Sequence, residues 1–250
     1  MAISLADVQS FCEAVGAAST PEALFEIMQE IAARMGFAHF ALVHHIDMLA
    51  PNGTAIRLVD YPQSWIDIFE ERRLYAADPI HRASRQTSIG FAWNDVEAMI
   101  ALTPRDRAVL AAARDVGIGN GFTIPAHIPG ELNGSCSFAM AVGTELDRDQ
   151  LPLVQLVGNF AFEAARRLNR PKGAGRAGTP ALTARQVECV ALVARGKTDW
   201  EIARILGVGA ETVTQHVKDA RDRYGVTKRT MLAIRALFDG AISFADILGG

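Results

Sequence analysis

The chain has 250 residues, half of them hydrophobic, with 25 Lys and Arg against 28 Asp and Glu and a net charge of −3. This length suits one large domain or a medium domain with a small one, and the apolar share is enough for a substantial core. No apolar run reaches the roughly 18 residues of a membrane span, and the three cysteines form no CxxC pair, so neither a disulfide framework nor a zinc site is indicated.

The start "MAISLADVQSF" lacks the basic and apolar regions of a secretory leader, so a cytoplasmic protein is expected. Helical periodicity runs over 5–17 and 20–36, the second opening with Thr20 as cap and Pro21 at the first helical position. Strands are predicted near 37–48 and 54–60. In the first, His44 and His45 are adjacent, so they point to opposite faces and do not chelate one ion together. Residues 61–79, "YPQSWIDIFEERRLYAADP", read as an amphipathic helix after Pro62, yet Tyr61, Trp65, Phe69 and Asp78 crowd into it. Trp65 and Phe69 share a helix face at i and i+4, whereas Tyr61 precedes Pro62 and is expected outside the helix. Such a group serves either a packed core or a pocket for a small amide-bearing molecule. A strand near 89–93 follows, ending on Trp93. Then come a helix opened by "TPRD" at 103–106, the strands "GFTIPAHI" and "SCSFAMAVG", and a long helix from about 147 to 169. This order predicts an α/β sandwich, an antiparallel sheet flanked by helices.

The segment "RRLNRPKGAGRAGTPAL", residues 166–182, has Pro, Gly and charges but no apolar period, which describes a linker. It is assigned to 170–181, between a domain at 1–169 and another at 182–250. From residue 175 onward there are 11 Lys and Arg against 8 Asp and Glu, a charge of +3 where the first 174 residues carry −6. An acidic body with a mildly basic tail module suits a protein whose tail meets phosphate.

The tail module is helical throughout. Thr183 and Gln186 form one capping box and Thr198 and Glu201 a second, and Gly207 is placed to end the second helix. A "GVG" turn leads into "AETVTQHVKDARDRYG", completing a helix-turn-helix in an all-α four-helix unit. Val213, Val217, Ala220 and Tyr224 fall on the core face of that helix. Glu211, Thr212, Thr214, Gln215, Lys218 and Arg221 are left for a DNA major groove. A last helix, "KRTMLAIRALFDG", carries Met231, Ile234, Leu237 and Phe238, part of which is available for a dimer contact. The final ten residues, "AISFADILGG", carry no readable role.

The tail module resembles the LuxR-type helix-turn-helix, matching its GKT–EIA–TV–H–V pattern. Gln186, Val190 and Thr214 depart from it, the family often having Glu, Leu and a basic side chain there. The body resembles the autoinducer-binding domain of quorum-sensing regulators over roughly 20–165. The matching residues are Tyr61-Pro62 with Trp65, Asp78-Pro79, Trp93, and "GFTIP" at 121–125. The resemblance implies an N-acyl-homoserine lactone as ligand, double-stranded operator DNA as partner, a homodimer, no metal or other cofactor, and no catalysis. Such a ligand has one amide N–H, two carbonyls near its ring and an apolar tail. Asp78 is then the acceptor for the amide N–H, Trp65 the donor to the lactone carbonyl and Tyr61 the donor to the acyl carbonyl. Trp93 offers a flat face to the ring, Phe69 stands where the family often has Tyr, and Thr123 and Ser137 are secondary contacts. The alternative is a regulator of the same build that answers another small molecule or none.

Overall fold

Ser4 and Thr20 turn their hydroxyls onto backbone N–H groups three residues ahead and so start α1 (Leu5–Ala17) and α2 (Pro21–Arg34). The computed structural model describes residues 3–45, 55–74, 77–128, 131–169 and 181–248. All but the last residue of the linker at 170–181, and the end of the first strand at 46–48, therefore lie outside the described residues. Strands β1 (His39–His44) and β2 (Arg57–Val59) follow, then α3 (Gln63–Glu71).

Two short helices were not anticipated. α4 (Pro79–Ser84) is capped by the Asp78 side chain with Pro79 at its first position, so the Asp-Pro pair is a helix start and not a turn. The expected strand at 89–93 is only β3 (Phe91–Ala92), because Trp93–Asp95 coil into a 3₁₀ turn that leads to α5 (Val96–Met99). α6 (Pro104–Asp115) has the capping box of Thr103 and Asp106. β4 (Ile118–Ala126), β5 (Gly134–Ala141) and α7 (Leu151–Asn169) complete the first unit, α7 beginning after a single 3₁₀ turn at Arg148–Gln150.

The five strands form one antiparallel sheet in the order β2-β1-β5-β4-β3. A single row of paired residues, Val59, Ala41, Ser137, Thr123 and Phe91, crosses all five strands. Because side chains alternate along a strand, this row faces one side and the neighbouring Phe40, Phe138 and Phe122 face the other. α2 and α7 cover the phenylalanine side, burying Leu24, Met28, Val157 and Ala161 completely, and α1 packs on both helices. A buried side chain of the size of Leu24 or Met28 contributes about 1.5–3 kcal/mol. α3, α4 and α6 cover the other face, where Trp65, Val109, Ala113, Ile118 and Ala139 form a separate cluster. The result is the α/β sandwich expected of the sequence.

The second unit is helical: α8 (Ala184–Ala194), α9 (Asp199–Leu206), α10 (Ala210–Tyr224), α11 (Arg229–Phe238) and a short α12 (Phe244–Leu248). Both capping boxes are formed, and Gly207 closes α9 in the left-handed conformation, φ 67°, that glycine adopts without strain. Val190, Ile202, Val213, Ala220, Leu232 and Ala236 are fully buried at its centre. Ile242 joins them, which gives the last ten residues a packing role. No described helix is long and apolar enough to cross a membrane.

Candidate functional site

The side of the sheet beneath α3, α4 and α6 is hollow. Its cavity has a volume of about 260 Å³ and is walled largely by apolar side chains such as Val59, Ile66, Ile80, Val109 and Leu110. That is close to the lower end of the roughly 300–1,000 Å³ of small-molecule sites. Tyr61, Trp65, Phe69, Asp78, Trp93 and Ser137 all line it, drawn from the loop before α3, α3 itself, the cap of α4, the turn after β3, and β5. Arg57 and Glu70 also line it, exposed and paired with each other where the cavity meets solvent.

One wall is a ladder of rings. Trp65 meets Phe69 edge-on at 5.8 Å between centroids, and Phe69 meets His81 edge-on at 6.1 Å. His81 in turn stacks on His45 at 3.9 Å, with 18° between planes. His44 faces the other way, against Phe162 of α7 at 5.7 Å, so the two adjacent histidines serve opposite sides of the sheet as expected. Burial, then the neighbouring His81, Arg85, His127 and His44, depress the His45 imidazole from its ordinary 6.5 to about 2 and keep it neutral.

The polar groups differ in how much of their hydrogen-bonding capacity is already used. Asp78 Oδ1 accepts from the Ile80 backbone N–H at 2.8 Å, while Oδ2 lies 3.6 Å from His81 Nε2. Among the described residues nothing accepts from the Trp65 indole N–H, although Trp65 is buried. Burial, and then the charge of Asp78, raise the Tyr61 phenol above its ordinary value, so it stays protonated and able to donate. Trp93 is different. Its indole N–H donates to Thr123 Oγ1 at 2.8 Å, and Thr123 shares a second hydrogen bond of 2.8 Å with Ser137 Oγ. Thr123 is fully buried and does not line the cavity; it sits behind the wall and fixes Trp93 and Ser137. The glycine two residues before it has a reason too. A Cβ at Gly121 would come within 2.7 Å of the Trp93 indole and 2.5 Å of the Phe138 carbonyl oxygen.

In the helical unit, Glu211, Thr212, Thr214, Gln215 and Lys218 lie exposed on α10, opposite the buried Val213, Val217 and Ala220. The Thr214 hydroxyl donates to Asp199 Oδ2 at 2.8 Å, and Arg229 Nη1 reaches Asp199 Oδ1 at 2.6 Å. Asp199 thereby ties α9, α10 and α11 together. Arg221, also expected at the DNA, is less open than these. It is half-buried, and its Nη1 donates to the Thr227 carbonyl at 2.8 Å, holding the turn between α10 and α11.

A family model described as the autoinducer binding domain matches residues 20–165, and one described as bacterial regulatory proteins of the luxR family matches residues 180–236. The chain belongs to the LuxR family of transcription regulators. It is 31% identical over 183 residues, 73% of each chain, to the quorum sensing-dependent transcriptional regulator RpaR of Rhodopseudomonas palustris. It is 30% identical over 192 residues, 74% of each chain, to the transcriptional activator LuxR of Aliivibrio fischeri. Among solved structures, Escherichia coli SdiA in complex with octanoyl-rac-glycerol has the same fold, with a TM-score of 0.69 at 22% identity over 97% of this chain and 99% of that one.

In this LuxR-family chain the cavity thus gathers six of the seven pocket residues singled out from sequence. Sequence reasoning missed His81 and Ile80 of α4, and Val109 and Ala113 of α6. The last two are an i, i+4 apolar pair that helical periodicity could have placed on the cavity side. His81 carried no such signal.

Proposed function

We propose that this chain is a homodimeric quorum-sensing regulator whose cavity takes an N-acyl-homoserine lactone and whose α10 reads operator DNA. Residues 1–169 would sense the ligand and take part in dimerisation, 170–181 link, and 182–250 bind DNA. The observation that carries this reading is the Asp78 Oδ2, available in an apolar cavity beside the unused indole N–H of Trp65 and the protonated Tyr61. One acceptor and two donors complement one amide N–H and two carbonyls, and the apolar walls suit an acyl tail. The related regulator RpaR, quorum sensing-dependent by its description, supports the quorum-sensing assignment. The exposed stripe of Met231, Ile234 and Phe238 on α11 supports a second copy as partner, since paired recognition helices read two half-sites.

A thermal-shift titration of the full chain with acyl-homoserine lactones of increasing chain length tests this, with 1-octanoylglycerol in parallel because SdiA is solved with that class of compound. Stabilisation by a lactone that exceeds that by the glycerol ester supports the reading. Stabilisation by the ester alone assigns the cavity to a hydroxyl-bearing lipid, and Asp78 then accepts from a hydroxyl.

A further inference from the structure

Among the described polar side chains that line the cavity, Arg57 and Glu70 pair with each other and the His44 ring packs against Phe162, whereas the lactone reading gives His81 no task. It sits three residues after Asp78, on the first turn of α4, and only 13% of its side chain is exposed. Its two ring nitrogens stand in different places. Nδ1 is sealed off from solvent with no hydrogen-bond partner. Nε2 lies 3.6 Å from Asp78 Oδ2, too far for a direct hydrogen bond and close enough for the carboxylate to orient it. A negative oxygen at that distance favours the tautomer with the proton on Nε2, so the imidazole presents an N–H beside the carboxylate. The ring has little freedom to do otherwise. It is stacked face-on against His45 and meets Phe69 edge-on, and His45 is itself anchored by a 2.8 Å hydrogen bond between Nε2 and Ser135 Oγ.

Asp78 Oδ2 and His81 Nε2–H thus form an acceptor and a donor side by side on an otherwise apolar wall. With the two groups 3.6 Å apart, a ligand that gives Asp78 an N–H lies close enough for an oxygen near that N–H to meet His81. Under the proposed lactone reading, on which this inference rests, Trp65 takes the lactone carbonyl and Tyr61 the acyl carbonyl. The oxygen left for His81 is a substituent on the acyl chain close to the amide. We propose that His81 is a specificity residue that donates to an oxo or hydroxyl group near the amide end of the acyl chain, so that the pocket prefers oxygenated chains to plain hydrocarbon ones. Without that oxygen the Nε2–H is desolvated by the ligand and left unpaired, which is the physical origin of the preference.

The test uses the full chain and three ligands of equal length: decanoyl-, 3-oxodecanoyl- and 3-hydroxydecanoyl-homoserine lactone. Dissociation constants are measured for the parent, for His81→Phe, which keeps a ring for the stack, and for His81→Gln, which keeps an N–H donor. The parent is expected to bind an oxygenated lactone about three- to tenfold more tightly than the plain one, the worth of one neutral hydrogen bond. His81→Phe should bind the plain lactone at least as well as the parent and lose the preference, and His81→Gln should regain part of it. An equal preference in the parent and in His81→Phe overturns the assignment while leaving the lactone reading intact. If none of the three lactones binds the parent and no lactone of the length series stabilises it, the lactone reading falls and the His81 assignment with it.

Discussion

The indole N–H of Trp93 donates to the hydroxyl of Thr123 across 2.8 Å, joining a residue just after one strand to the strand beside it. Thr123 passes the interaction to Ser137 one strand further on. The three side chains form a chain of hydrogen bonds from the turn after β3 across β4 to β5, and it ties Trp93 to the cavity wall. Replacing Thr123 by Val keeps the shape but leaves the indole N–H unpaired in a partly buried place. We expect this to cost about 1–3 kcal/mol of stability, measured by chemical denaturation. Ser137→Ala should cost less, because Thr123 keeps the indole as its donor. An equal loss in both variants would mean that Trp93 is held by packing alone.

How far these relations could be read from sequence depends on how local they are. The caps at Thr20, Thr183 and Thr198 bond to residues three positions away, and each is formed as read. Asp78 is equally local, but Asp before Pro signals a turn as readily as a helix start, and only the structure shows α4. Trp93 and Thr123 are 30 residues apart. Nothing in either segment announces that one uses up the other, so both read as independent ligand contacts. The Arg221 contact was hidden for a similar reason. Helical spacing gives the direction in which a side chain leaves the backbone, but not that a long one folds back to the Thr227 carbonyl.

That contact separates two substitutions on α10. Lys218 is exposed, and Lys218→Ala should weaken operator binding by about 1–3 kcal/mol if it reads a base pair. If it meets phosphate instead, the log–log salt dependence should become shallower by about one unit. Arg221→Ala should instead lower the melting temperature of the helical unit, with a loss of DNA affinity that the unfolded fraction accounts for. A well-folded Arg221→Ala protein that no longer binds DNA would return this residue to the interface.

The stripe on α11 gives a prediction about assembly. Ile234 is 57% exposed, between Met231 and Phe238 at 40% and 42%, while Leu232 and Ala236 carry the core contacts. Ile234→Glu should therefore weaken dimerisation without unfolding the unit. Sedimentation across a concentration series would show this as a raised dimer dissociation constant at unchanged helical content. A variant as dimeric as the parent would move the interface elsewhere.

His45 sets a dependence of stability on pH. In the folded chain its pKa is held near 2, against 6.5 ordinarily. Between these values the unfolded chain binds a proton that the folded chain refuses, so stability rises with pH. The contribution is fully present above about pH 6.5 and is lost as pH falls towards 2, with a slope of at most about 1.4 kcal/mol per pH unit for one proton. Asp7, depressed to about 2 mainly by its hydrogen bonds with Ser4, adds its own loss only below its ordinary 3.8. Denaturation measured between roughly pH 5 and 6 lies above the Asp7 window. Asp239, whose carboxyl burial pushes up, adds a slope of opposite sign that parent and variant share, so the difference between them reports the histidine. His45→Phe, which keeps a ring against His81, should flatten the curve there. A slope unchanged by that substitution would show that His45 titrates normally in the folded chain.

Asp78 holds α4 with one oxygen and faces the cavity with the other, and substitutions can part the two tasks. Asn caps a helix nearly as well as Asp, whereas Ala costs about 0.5–2 kcal/mol at such a position. Asp78→Asn should therefore melt close to the parent without ligand, and Asp78→Ala measurably below it. Ligand should separate them from the parent differently. A carboxylate is roughly twice as strong an acceptor as a neutral oxygen, and the Asn amide can present its NH₂ to the cavity where an acceptor is needed. In the parent, a lactone at a hundredfold excess over its dissociation constant should add about 2.7 kcal/mol. Both variants should lose most of that gain, so that in Asp78→Asn a nearly normal apo protein no longer responds to ligand. An Asp78→Asn protein with the full ligand shift would reduce Asp78 to a helix cap, and the amide N–H of the ligand would then need another acceptor on the cavity wall.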